Sequence, residues 1–250
     1  MGFITTAKIL TAHKHYGFFP LIVWGMPGCG KSTFAIKLLA QVYGECELDT
    51  STDPPKVKVI KPNWNAWKDW MVFYPQEFKK KVDETVEKKK QEKCIVWDDA
   101  GLWVSHRDRH HPFVKQVAGA LNVVRTSFAS VIFTTIDPGD LLKSIREMPG
   151  MHTGSPTKIS GAQPYHRTLR VYERWVAPDT VKRGVKPIYE ERYNIWLPDD
   201  VFEEYDKVRR EYIKVKLSKW EDYVEDLIDE GKVELARKLE EAIATYEASD

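Results

Sequence analysis

Apolar residues follow two rhythms along this chain, and their alternation predicts the architecture. Leu21-Ile22-Val23-Trp24 is a continuous apolar run of the kind found in strands buried on both faces. Beyond a glycine-rich turn, Ala35, Leu38, Leu39 and Val42 recur at helical spacing and predict a helix over 31–43. Ahead of the first strand, residues 5–16 carry a weak amphipathic helix pattern with Ala7, Ile9 and Leu10 inward. Residues 44–55 read as a loop, and Val57-Lys58-Val59-Ile60 as a second strand stopped by Pro62. The stretch 63–92 is helical in character; Pro75 divides a short aromatic helix from a Lys/Glu-rich one with Phe78, Val82 and Val86 on a narrow face. Cys94-Ile95-Val96-Trp97 is another apolar strand, ending at Asp98-Asp99. Val114, Val117, Ala118, Leu121, Val124 and Phe128 then mark a helix opened by Pro112; Val131–Thr135 is the next strand, and a short helix runs from Asp140 to Glu147. Strands alternating with helices in this way predict an α/β fold, a parallel sheet covered on both faces.

The pattern changes after Met148. Residues 149–164 carry Pro and Gly clusters without periodicity and read as an exposed loop or linker. Alternating stretches at 167–176 and 186–197 predict an antiparallel β-ribbon added to the sheet edge. A long helix with Phe202, Tyr205, Val208 and Tyr212 follows Pro198; Gly231 breaks it, and Leu235, Leu239 and Ile243 mark a last helix. The expected organisation is a core over 1–148, a loop and ribbon extension over 149–198, and a C-terminal helical segment over 199–250.

Charge narrows the classes. The 250 residues hold 38 Lys and Arg against 37 Asp and Glu, which excludes a strongly basic whole-chain nucleic-acid binder but not local patches. No apolar stretch approaches a membrane span, no secretory signal pattern opens the chain, and three separated cysteines offer no CxxC pair. An intracellular, cytoplasmic protein without a disulfide framework or membrane contact is the expectation. Nine Trp, 11 Tyr and abundant Lys/Glu pairs suit a hot environment.

The chemistry is concentrated in Gly25-Met26-Pro27-Gly28-Cys29-Gly30-Lys31-Ser32, which fills the pattern G-x-x-x-x-G-K-[ST], with Thr33 following. A random chain of this length would show that pattern about one time in a hundred, and here it also lies between an apolar strand and a helix. Glycines at such positions let successive backbone N–H groups curl around phosphates, and the helix that follows adds its positive dipole end. Lys31 is placed to neutralise the β- and γ-phosphates of ATP, and Ser32 to offer its hydroxyl to Mg²⁺. Asp98, at the end of an apolar strand, is the second Mg²⁺ residue, and Asp99 is placed to orient and deprotonate a lytic water. Strand 131–135 ends in Thr134-Thr135; since side chains alternate, only one of the two can face the nucleotide, and Thr135 is the expected one.

These motifs resemble the AAA+ and RecA-like branch of P-loop ATPases (the ASCE class), in which a strand is inserted between the P-loop and Walker B strands. Trp97-Asp98-Asp99-Ala100-Gly101 and Phe133-Thr134-Thr135-Ile136-Asp137-Pro138 are similar to replication initiators of the DnaA type and to helicase loaders, of the kind carried by viruses and plasmids of hot-environment archaea. The resemblance spans about residues 20–147. It implies an ATPase acting on DNA, a homo-oligomer, and an arginine finger given in trans, for which Arg146 is the positional choice and Arg125 and Arg109 are alternatives. The ribbon is unlike the helical lid of that group and leaves room for DNA-translocating ATPases of the Zot, FtsK or HerA kind. A slow nucleotide switch that binds a protein partner through its C-terminal helices, and a metabolic kinase, are further alternatives.

Other clusters have plainer readings. His106, His110 and His111 with Arg107 and Arg109 form a basic loop without a full metal-ligand set. Trp64, Trp67, Trp70 and Met71 fit either base stacking or the buried face of a short helix. Arg167, Arg170, Arg174, Lys182, Arg183 and Lys186 make the ribbon basic, suited to DNA phosphates or to charge balance within the sheet.

Overall fold

A computed structural model describes residues 2–104, 123–148, 150–176 and 183–229. The apolar run Leu21–Trp24 forms strand β1 at the centre of a seven-stranded sheet, and Leu21, Ile22 and Val23 are buried. On one side β1 pairs in parallel with β6 (Val131–Thr135), which pairs in parallel with β5 (Ile95–Trp97). The strand expected between the loop-bearing strand and the acidic strand is therefore present. Met71–Val72 adds a two-residue parallel strand, β4, outside β5. This piece was expected to be helical, and two residues are too few for any periodicity to show.

On its other side β1 pairs in parallel with β7 (His152–Lys158), and β7 is antiparallel to β8 (His166–Val176), itself antiparallel to β9 (Arg183–Asn194). The sheet order is thus β4-β5-β6-β1-β7-β8-β9. One expectation is corrected: residues 152–158 are a sheet strand rather than part of a linker. The chain divides into two compact units, the first spanning Met1–Leu197. A second unit, Pro198–Asp250, holds helix α6 (Asp199–Asp229), with Asp199 and Asp200 facing the positive end of the helix dipole. The expected last helix lies outside the described residues.

Helix α1 is Ile4–Lys14, and α2 is Lys31–Val42. Seven apolar residues of α2 are buried, from Phe34 to Val42, as befits a helix covered almost all round. Helix α3 (Ala66–Trp70) precedes β4, and α4 (Pro75–Lys88) follows it. Pro75 occupies the first turn of α4, where its missing N–H costs nothing, and the Glu77 carboxylate accepts the Phe73 and Tyr74 N–H groups at 2.9 and 3.1 Å. Phe78, Val82 and Thr85 face inward; Val86 was expected there and is instead 51% exposed. Phe78 stacks on Trp97 with ring centres 4.8 Å apart, in a core that also holds Ile22, Ile95 and Phe133. A four-residue helix, α5, spans Lys143–Arg146.

The second strand expected at 57–60 belongs to a separate hairpin: β2 (Glu45–Asp49), in a segment read as loop, pairs antiparallel with β3 (Lys56–Lys61). Lys56, Val57 and Lys58 alternate exposed, buried, exposed, the period of a half-covered ribbon and not of a buried parallel strand.

Candidate functional site

The glycine-rich loop leaves the end of β1 and enters α2 through backbone conformations that side chains resist. Gly28 has φ +74° and Gly30 φ +97°; Gly30 is the N-cap of α2. A Cβ on Gly30 would stand 2.7 Å from Ile195 Cγ2, so both the torsion and the space require glycine. No side chain caps α2 and its first turn holds no acid, leaving the N–H groups of that turn directed at whatever occupies the loop. Lys31 is 7% exposed, and its ammonium donates back to Gly25 O at 2.7 Å and Met26 O at 3.3 Å. The Lys31 ammonium thus curls back over the loop, whose Gly25 and Cys29 N–H groups donate to the carbonyls of Thr135, Ile136 and Met26. Met26, Pro27 and Gly28 are exposed, while Cys29, Ser32 and Thr33 are half-buried.

Three elements bring oxygen atoms together beside that loop. Ser32 Oγ donates to Asp98 Oδ1 at 3.1 Å, and Thr134 Oγ1 donates to the same oxygen at 2.5 Å. Thr134 Oγ1 also accepts the Asp99 N–H at 2.8 Å. Asp98 is fully buried at the tip of β5. Trp97 points into the core cluster with Phe133 and Ile22, so alternation sends Asp98 and Thr134 to the opposite face. A carboxylate and hydroxyls are the hard oxygen ligands that Mg²⁺ takes, with water completing the set, so the residues present fit that ion. Asp99 is half-buried in a left-handed conformation, φ +51°, at the start of a short 3-10 turn, Ala100–Leu102. Holding a non-glycine residue there costs about 1–2 kcal/mol.

The two threonines, of which Thr135 was the expected one, have different partners. Thr135 Oγ1 donates to Asp137 O at 3.2 Å and faces Gly101, where a Cβ would approach it to 2.4 Å. Thr134, not Thr135, joins the Ser32–Asp98 group. Arg146 Nε donates to Leu141 O at 3.0 Å, and Arg146 makes no hydrogen bond to Ser32, Asp98 or Thr134 among the described residues. Arg125 is exposed; Arg109 and the three histidines lie outside the described residues.

Sequence reasoning placed Arg167 among the basic residues of the ribbon and missed Tyr193; both reach the outer side of the loop. Arg167 of β8 is 3% exposed; its Nε donates to Cys29 O at 3.1 Å and its Nη1 to the carbonyls of Pro164 and His166. Tyr193 of β9 donates its hydroxyl to Gly30 O at 3.1 Å and packs on Phe34. A signal for Arg167 was present: it shares the strand parity of Leu169 and Val171, both fully buried, which places an arginine on the apolar face. Glu191, two residues from Tyr193, accepts the Thr5 N–H near the start of α1, and burial pushes its carboxyl up to about 7.

Two other clusters make contacts within the fold. Trp67 and Met71 are buried, and Trp70 stacks on Tyr43 at 4.9 Å with the rings 1° from parallel. Arg170 pairs with Glu190 at 2.5 Å and Lys186 with Glu173 at 3.0 Å across the β8–β9 ladder. Cys94 is buried, its thiol pushed up to about 12 by burial, and no metal-holding group of His, Cys, Asp and Glu occurs among the described residues. No described helix is long and apolar enough to cross a membrane.

No family model matches the chain. It is 26% identical over 208 residues, 82% of its length and 79% of the other, to uncharacterized protein B-251 of Sulfolobus spindle-shape virus 1. Among solved structures, the N-terminal domain of zonular occludens toxin from Neisseria meningitidis superposes with a TM-score of 0.39 and 16% identity, covering 75% of this chain and 98% of that one. The genome packaging NTPase B204 of Sulfolobus turreted icosahedral virus 2, in complex with ATP-gammaS, superposes at 0.32 with 12% identity, over 69% and 98%. These superpositions are loose, and the functional assignment rests on the geometry of the loop itself.

Proposed function

We propose that this protein is a Mg²⁺-dependent ATPase that couples hydrolysis to work on nucleic acid, in replication initiation or helicase loading for a virus or mobile element. The observation that carries the reading is the joining of Ser32, Asp98 and Thr134 beside a left-handed glycine loop roofed by the Lys31 ammonium. Backbone N–H groups of the loop and of the first turn of α2 receive the phosphates. Lys31 gives up its carbonyl acceptors for the β- and γ-phosphate oxygens. Ser32 and Asp98 hold Mg²⁺, which when bound neutralises charge on the transferring phosphoryl group. Thr134 fixes the Asp98 carboxylate, and Asp99 orients the attacking water and takes its proton. Asp is one methylene shorter than the Glu that many such enzymes use, so turnover is slow. The homologous viral protein supports the setting. Arg146 reaches a neighbouring subunit's nucleotide in a homo-oligomer, and α6 offers a protein-binding helix.

A DNA-translocating motor is the second reading. One observation favours it: beyond β1 and β7 the sheet continues as antiparallel β8 and β9, where an initiator-like ATPase would carry a helical lid.

The test is phosphate release from Mg-ATP with and without single- and double-stranded DNA, beside Lys31→Ala and Asp99→Asn. DNA-stimulated turnover abolished in both variants is the expected result. Folded protein that neither binds nor hydrolyses Mg-ATP at any concentration refutes the assignment. Displacement of a DNA-bound roadblock in one direction selects the motor, and light scattering with and without ATP counts the subunits.

A further inference from the structure

The glycine loop is flanked by two buried cations, and the buried carboxylate on its inner side, Asp98, accepts from Ser32 and Thr134. Lys31 donates only to carbonyls, and so does Arg167, through Nε to Cys29 O and through Nη1 to Pro164 O and His166 O. Among the described residues no carboxylate forms an ion pair with either. The nearest acid sharing the inward face of the ladder is Glu191, paired across from Leu169 and so diagonal to Arg167. It is bonded to the Thr5 N–H, and burial pushes it up to about 7, which weakens it as a counter-charge. Tyr193, directly opposite Arg167, keeps its phenol neutral because burial drives its titration far upward. A guanidinium does not escape by losing its proton, so an uncompensated one inside a protein is held at a cost.

We propose that Arg167 is a positioning residue for the nucleotide: it ties the outer side of the loop through Cys29 O, and its missing counter-charge is the di- or triphosphate bound on the inner side. This rests on the nucleotide-binding reading. Two effects act together. Fixing the Cys29 carbonyl outward turns the Gly30 N–H of the same peptide inward, and the cation, in low-dielectric surroundings, adds attraction for a phosphate chain across one layer of backbone. The lysine lies within the motif; the arginine reaches the same loop from a strand 136 residues later in sequence.

The test is calorimetric titration of Mg-ATP, Mg-ADP and AMP into the wild type, Arg167→Gln, Arg167→Lys and Lys31→Ala, with thermal midpoints of the nucleotide-free proteins. Arg167→Gln keeps a donor and removes the charge. It is expected to weaken Mg-ATP and Mg-ADP about tenfold or more and AMP far less, with a nucleotide-free midpoint unchanged or raised. Arg167→Lys restores most of the lost affinity. A purely structural residue would show the reverse, a lowered midpoint with no dependence on phosphate number. Equal weakening in the Gln and Lys variants, or wild-type affinity in the Gln variant, overturns the proposal. If the Gln variant does not fold, a tenfold loss in Arg167→Lys overturns it and near-wild-type affinity supports it. Absence of binding by the wild type would instead sink the nucleotide-binding reading itself.

Discussion

Adjacent threonines that differ only in strand parity give a sharp test of the site. Thr134→Val preserves shape and removes one oxygen, which donates to Asp98 Oδ1 at 2.5 Å and accepts the Asp99 N–H at 2.8 Å. A hydrogen bond to a carboxylate contributes about 1.5–3 kcal/mol, and a buried N–H left without an acceptor costs about 1–3 kcal/mol. If the first quantity is lost from the productive arrangement of Asp98, turnover falls roughly ten- to hundredfold, since each 1.4 kcal/mol is about a factor of ten. The second quantity appears as a lowered thermal midpoint. Thr135→Val removes a hydroxyl that serves only the Asp137 carbonyl, at 3.2 Å, and should change turnover less than about threefold. The assay is phosphate release at saturating Mg-ATP, with circular dichroism to confirm folding and Thr134→Ser as the rescue. Equal damage from the two valine variants, or an unimpaired Thr134→Val, would refute the assignment of Thr134 to the Asp98 group.

Three further outcomes follow from the same geometry. Gly30→Ala meets both φ +97° and Ile195 Cγ2 at 2.7 Å, so its midpoint should fall and Ile195→Ala should restore only the steric part, read by thermal unfolding. Glu191 is raised from 4.5 to about 7 by burial, so the folded state holds a proton that the unfolded chain has released. Its stabilising contribution is present below about pH 4.5 and is lost as pH rises through 7, an effect of about 3 kcal/mol that Glu191→Gln should flatten in chemical denaturation at pH 5 and pH 8. Trp70→Ala should lower stability by about 0.5–1.5 kcal/mol through loss of the Tyr43 stack, beyond the area the ring covers, while single-stranded DNA affinity, measured by fluorescence anisotropy, stays unchanged.

The parts legible in sequence are those whose chemistry is tied to local backbone geometry. Glycines that a left-handed loop demands, a lysine one residue into a helix, and acids at the tip of an apolar strand announce themselves without neighbours. The Thr134–Thr135 choice was not of that kind. Parity within β6 is visible, but which face α2 covers emerges only when Ile22, Phe133 and Trp97 are paired in register. Residues 152–158 were hidden for a different reason: His-Thr-Gly-Ser-Pro-Thr-Lys has the composition of a loop, and Pro156 argues against a central strand. The pairing removes the conflict. β1 accompanies β7 only from His152 to Gly154, so at Pro156 the strand has β8 alone as neighbour and the absent N–H breaks no ladder. Gly154 fits because a Cβ there would meet Leu169 Cδ1 at 2.9 Å. Tertiary neighbours thus override local propensity at β7, and the strands it carries, β8 and β9, deliver Arg167 and Tyr193 to the glycine loop. The segment with the least regular sequence is the link through which the far edge of the sheet reaches the candidate active site.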